Sequence, residues 1–114
     1  MQPVAITRYS IVNSIGVGRR NVFESLHARR SGLRPCDFDT VDLDTYIGRV
    51  QVLDEIRIRN DLQHYDCRNN RLAQLALETD GMAEAVRAAR ARYGADRIGV
   101  VMGTSTSGLL QAEL

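Results

Sequence analysis

Cys67 has the setting that first suggests chemistry. It stands beside Arg68 at the expected start of a helix, and His64 lies three residues earlier. A helix N-terminus and a neighbouring cation both favour a thiolate, and a Cys/His pair would join a nucleophile to its base. The competing role is structural, because a free cysteine is ordinarily a small core residue. A buried or half-buried thiol at a helix start is therefore the expectation for Cys67. His27, on an earlier helix, reads as a surface residue and not as a base. Cys36 and Cys67 belong to no CxxC or Cys/His ligand pattern, so two free thiols are expected.

Three other groups invite a chemical reading. Thr104-Ser105-Thr106-Ser107-Gly108 follows an apolar run and precedes a helix-like segment, an arrangement able to hold an anion. It lacks the G-x-x-x-x-G-K-[ST] pattern, which speaks against a nucleotide cradle. Asp37, Asp39, Asp42 and Asp44 alternate with apolar or small residues. They lack the glycine and terminal Glu of a calcium loop, so a solvated loop is expected and no metal site. Arg57, Arg59, Arg68 and Arg71 would suit an acidic partner, although exposed arginines are commonly just a solvated face.

Composition narrows the classes. The chain has 114 residues, 44% apolar and 25% charged, which is ordinary for one globular domain. A net charge of +1 implies no general attraction to nucleic acid or to an anionic membrane. Aromatic residues make up 5% and Trp is absent, which argues against a base-stacking platform. No apolar run approaches the ~20 residues of a membrane span, and nothing resembles a signal peptide. A cytoplasmic location is expected.

The elements that must position these residues follow from pattern. Val4-Ala5-Ile6-Thr7 and Ile11-Val12 read as a first strand, with a glycine-rich turn at Gly16-Val17-Gly18. Val22, Phe23 and Leu26 predict a helix from Arg19 to Arg30, stopped at Gly32 and Pro35. Residues 36–64 read as a meandering surface segment with an edge hairpin and a short strand over residues 46–50. A stripe from Leu72 to Tyr93 predicts a long helix from about Asp66 to Arg92, with Asp66 as N-cap, a kink or break at Gly81 and a stop at Gly94. Arg97 to Gly103 is apolar on both faces and predicts a buried strand. Leu109 to Leu114 reads as the opening of another helix.

Strands alternating with helices imply an α/β layer with parallel strands. Two parallel strands cannot cover their own faces and edges. A piece of a larger domain is therefore expected.

Three segments together resemble the β-ketoacyl synthases of the thiolase-like superfamily. Val4 through Val12, Ser14, Ile15 and Gly16 is similar to that family's opening T-G-x-G-x-V-[ST]-x-x-G. Leu26 through Arg30-Ser31-Gly32-Leu33-Arg34-Pro35 is similar to its L-x-x-G-x-S-G-[IL] helix end. Arg97 through Gly103-Thr104-Ser105-Thr106-Ser107-Gly108 is similar to its R-[IV]-G-x-x-x-G-[ST]-x-x-[GS]-G strand and loop. Each motif alone is weak, but the three are in register. Arg8 and Ser10 stand where the family has glycines, and Asn13 replaces a Ser or Thr, which points to a divergent subfamily. Asp66 through Ala73 most resembles the aryl polyene-type ketosynthases.

The resemblance implies the N-terminal part of an αβαβα layered fold, incomplete in this chain, spanning residues 1–114 as a partial domain. It implies decarboxylative Claisen condensation of an acyl thioester with a malonyl thioester, in fatty-acid or polyene/polyketide synthesis. There is no resident cofactor, since the substrates ride on the phosphopantetheine of an acyl carrier protein. The nucleophilic cysteine and two histidines lie beyond the matched segments, so these residues alone are expected to be inactive. Thr106, with Ser105 beside it, would face the acyl pocket. Arg57, Arg59 and Arg68 would meet the carrier protein. The working form would be a homodimer or a heterodimer with a second ketosynthase-like subunit. A non-catalytic, chain-length-factor-like subunit is the alternative within the superfamily. A stand-alone α/β binding module lies further off.

Overall fold

The computed structural model describes residues 3–38 and 41–104. Its first element is a tight hairpin, β1 (Val12–Asn13) against β2 (Gly16–Val17), with Val12 opposite Val17 and Asn13 opposite Gly16. Asn13 shapes the turn itself, its Oδ1 accepting the Ile15 N–H at 3.1 Å. Helix α1 (Arg19–His27) follows and buries Val22 and Ser25 against the hairpin. Ser25 Oγ donates to the Ile15 carbonyl at 2.7 Å.

The end of α1 differs from the sequence expectation. The helix closes in a Schellman arrangement: the Arg29 N–H bonds to the Leu26 carbonyl and the Arg30 N–H to that of Ser25. Arg29 takes the positive φ, 52°, that glycine usually supplies. Gly32, expected to be the stop, serves a different purpose. A Cβ there would lie 2.5 Å from the Ser14 carbonyl oxygen, and one at Gly48 would lie 2.8 Å from Ser14 Oγ. The two glycines admit the β1–β2 turn against a second hairpin, β3 (Leu33–Pro35) with β4 (Tyr46–Gly48), antiparallel with Arg34 opposite Ile47.

Two 3-10 segments, Gln51–Asp54 and Asn60–Tyr65, lead into α2 (Arg68–Glu78) and α3 (Met82–Tyr93). The expected single long helix is thus two helices, broken where Asp80 and Gly81 adopt φ of 57° and 73°. Thr79 terminates α2, its Oγ1 donating to the Leu75 carbonyl at 2.6 Å. Gly94 ends α3 at φ 86°, as the sequence predicts. The α2–α3 junction docks on the N-terminal half: both Asp80 oxygens accept the Arg19 N–H, and Ser10 Oγ donates to the Ala76 carbonyl at 2.5 Å.

The architecture is mixed α/β, but both sheets are two-stranded and antiparallel, not parallel. Neither Val4–Thr7 nor Ile98–Gly103 is a paired strand. The run read as a buried strand is bare, with Val101 96% exposed, and Val4 is 95% exposed. The reason is that a strand exists through its neighbour, which takes its N–H and C=O groups, and the described residues supply none. Val22, Leu53 and Ile58 are the buried apolar side chains among the described residues, a small core for so many apolar positions.

Candidate docking surface

The surface carrying the predicted docking arginines is built on the chain entering α2. Gln74, on α2, positions it. Its Oε1 accepts the Arg59 N–H at 3.1 Å and its Nε2 donates to the Arg57 carbonyl at 2.9 Å. The side-chain amide thus stands in for a strand neighbour and holds Arg57-Ile58-Arg59 extended, with Ile58 turned inward and 6% exposed. Leu53, buried from the preceding 3-10 segment, anchors the other side.

Arg57 and Arg68 meet at Asp54. Arg68 Nη1 pairs with the Asp54 carboxylate, while Arg57 Nη1 donates to the Asp54 and Ile56 carbonyls at 2.9 and 3.1 Å. Arg59 stands apart, paired with Asp61 at 2.9 Å. Arg71 grips Asp66 with two bonds, 2.6 Å from Nε and 2.7 Å from Nη2. Of these four arginines only Arg57 meets no carboxylate among the described residues. Such exposed pairs are individually weak, because water and salt screen them.

Arg59 and Arg87 also flank an apolar groove of about 700 Å³ between the second 3-10 segment, α2 and α3. Ile58, Leu62, Leu77 and Val86 line it. Leu77 and Val86 are about half exposed there.

Asp66 is not the N-cap of α2. Cys67 takes that position with extended backbone, φ −150° and ψ 163°. The hydrogen bonds from Arg71 hold the Asp66 carboxyl below its ordinary value of 3.8, partial burial opposes them, and the Arg71 and Arg57 charges add to the lowering. Arg71 is correspondingly raised. Because the unfolded chain binds this proton more readily, the pair contributes stability above the ordinary carboxyl range. It loses that contribution as pH falls from there through the lowered folded value. An NMR titration of the carboxyl carbons should therefore place the Asp66 midpoint below that of an exposed aspartate, and Arg71→Gln should move it up to the ordinary value. An unchanged midpoint in the variant would rule the pairing out.

Cys67 and His64 are not assembled into a catalytic pair. No hydrogen bond joins them, and the His64 ring lies 3.8 Å from that of Tyr65 between centroids. Both cysteines are free and half-buried. Among the described residues no group of three or more His, Cys, Asp or Glu side chains is placed to hold a metal ion. Asp37, from the acidic run, is drawn into ion pairs with Arg34 and Arg49. Thr106 and Ser105 lie outside the described residues. Sequence reasoning missed Gln74 and Asp54. An amide three positions after Arg71 on a helix gives no local signal, because its partners lie 15 and 17 residues back.

No helix of the described chain is long and apolar enough to cross a membrane. No protein-family model matches the sequence, and no curated protein or solved structure matches it either.

Proposed function

We propose that this chain is part of a condensing enzyme of the β-ketoacyl synthase type, and that its α2 entrance receives the acyl carrier protein. The observation that carries this reading is the order and register of the three motifs at residues 4–16, 26–35 and 97–108. Two features of the fold support it. The first two motifs pack on one another through the Ser14–Gly32 approach, which only glycine permits. In the third, Val100, Val101 and Met102 are bare, as befits a strand whose sheet and helices come from further polypeptide. In this reading the layered αβαβα domain is completed elsewhere, and the enzyme works in the cytoplasm as a homodimer or with a second ketosynthase-like subunit.

The carrier is an acidic protein in this family, and the surface suits one. Its carboxylates would replace Asp54 at Arg68 and give Arg57 a carboxylate partner, while an apolar side chain enters the groove flanked by Arg59 and Arg87. The substrate role of Thr106 and Ser105 belongs to the same proposal. The non-catalytic subunit reading draws on Arg8 and Ser10. Ser10 uses its hydroxyl to bind α2, so a side chain does structural work where the family has glycine. Both readings predict docking.

Holo acyl carrier protein, labelled on its prosthetic group, should bind the chain at low salt in fluorescence anisotropy, more weakly as salt rises. Arg57→Glu should weaken binding about tenfold, the order expected for losing one charge-assisted contact. Absence of binding at low salt would defeat the docking surface. With acyl thioester present, mass spectrometry should find no acyl group on Cys36 or Cys67. Acylation of Cys67 would replace this reading by one in which Cys67 is the nucleophile.

A further inference from the structure

We propose that the cleft between the β1–β2 turn and the β3–β4 hairpin binds a phosphate group carried by a small molecule, held by Arg34 and Arg49. The cleft has a volume of about 400 Å³, and Ser14, Ser31, Arg34, Arg49 and Gln51 are among the residues that line it. That volume lies within the range of small-molecule sites. The glycine contacts at Gly32 and Gly48 fix its walls, because neither hairpin can move apart without losing the fit around Ser14.

The cations in it are only partly satisfied. Asp37 accepts one bond from each arginine, from Arg34 Nη2 at 2.9 Å and from Arg49 Nη2 at 3.0 Å. Among the described residues the two guanidinium groups thus share one carboxylate, leaving a positive charge in excess. The Nε atoms of both arginines are buried and have no acceptor among the described residues. Buried N–H groups in this state are uncommon, because each forfeits its hydration without recovering a bond. Arg49 is steadied from the other side by the Phe38 ring, 5.3 Å from its Cζ. The neighbouring hydroxyls add donors: Ser14 Oγ makes no hydrogen bond among the described residues, and Ser31 Oγ accepts from the Leu33 N–H while its own proton stays free.

A second anion would resolve this imbalance. A small turn of either arginine presents its Nε–Nη edge to the cleft, the fork that grips two oxygens of one anion. A tetrahedral phosphate has enough oxygens to meet both forks and a serine hydroxyl together. A planar carboxylate has only two and would leave one arginine unanswered. The site uses none of the docking arginines and does not depend on the carrier-protein reading.

The test is a ¹⁵N NMR titration of the full chain with inorganic phosphate at constant ionic strength. Saturable shifts are expected at Ser14, Ser31, Gly32 and Gln51. Arg49→Gln and Arg34→Gln should each weaken binding about tenfold, the loss expected for one charge-assisted pair. Arg20→Gln, at an exposed arginine of α1 paired with Glu24, should leave it unchanged. Asp37→Asn, which releases both guanidinium groups, should strengthen it. Should Arg49→Gln lose its dispersed spectrum, Arg49→Lys keeps the charge without the fork and should weaken binding several-fold. Non-saturable shifts equal to those from chloride would overturn the proposal, as would equal losses in Arg49→Gln and Arg20→Gln. Acetate binding as tightly as phosphate would overturn the assignment to phosphate.

Discussion

Replacing Gly32 by alanine is expected to destabilise the fold by about 3 kcal/mol or more. The new methyl group would lie 2.5 Å from the Ser14 carbonyl oxygen and 2.6 Å from its carbon, and neither is the end of a flexible side chain. Relief requires the β1–β2 turn to retreat from β3, which also withdraws Ile15 from Ser25 and opens the seat of Val22. Overpacking ordinarily costs about 1–3 kcal/mol, and a clash of backbone with backbone belongs at or above the upper end. That is a large part of the stability a chain this size commonly has. Urea denaturation followed by circular dichroism should show the midpoint collapse. Gly99→Ala is the control, since nothing lies within 4 Å of its added carbon, and it should leave the midpoint in place. Equal behaviour of the two variants would show that the Ser14–Gly32 approach does not hold the hairpins together.

Asp80 should give the second-largest loss, through a mechanism that three substitutions separate. Helix α1 begins after Gly18, which has no side chain to cap it. The missing cap comes from 61 residues away, where Asp80 accepts the Arg19 N–H at 3.1 and 3.0 Å and lies 3.5 Å from Arg19 Nε. A carboxylate at this end also answers the positive pole of the helix. Gly18, at φ 86°, leaves room for it, because a Cβ there would come within 3.3 Å of Asp80 Oδ1. Asp80 does this from a left-handed conformation, φ 57°, that Asp and Asn tolerate better than Ala. Losing the cap costs about 1 kcal/mol and the unfavourable backbone adds about 1 more, so Asp80→Ala should lose roughly 2 kcal/mol. Asp80→Asn keeps an acceptor and the backbone preference and should lose least. Asp80→Gly gives up the cap without the backbone strain and should fall between them. Loss in Asp80→Asn equal to that in Asp80→Ala would show that neither capping nor the left-handed backbone explains the residue.

Much of the local structure was legible in advance. The apolar stripe of Leu72, Leu75, Ala76, Met82, Ala85, Val86 and Ala89 predicts helix, Gly81 marks the break, and Gly94 the stop; α2 and α3 follow that plan. Residues 46–50 read as a short strand, and Tyr46–Gly48 is one. These are properties of neighbouring residues, which periodicity reports directly. The roles of Gly32 and Asp66 were misread for the same reason. Gly-then-Pro after a basic helix end is a stop signal, and the stop is instead Arg29, because Gly32 is needed against Ser14. Asp66 before a helix is a cap signal, and its carboxylate is instead taken by Arg71.

The site divides similarly. The arginines at 57, 59 and 68 were named as a group, yet Arg57 and Arg68 meet at Asp54 while Arg59 pairs with Asp61. Their spacing said that they were available, not whom they would meet. Arg34 and Arg49 gave no sign of meeting, since they come together only when β3 and β4 pair and Asp37 lies between them.

By itself the sequence determined that helix fills most of residues 68–93, with a kink or break at Gly81 and a stop at Gly94, and that a short strand begins at Tyr46. Tertiary structure alone decided that Asp80 caps a distant helix, that Gln74 holds Arg57 and Arg59 in line, and that the sheets are antiparallel pairs. The division has one physical cause. Propensity and period act over a turn or two of chain. A hydrogen bond or steric contact across 15 to 66 residues depends on where the backbone has already been carried.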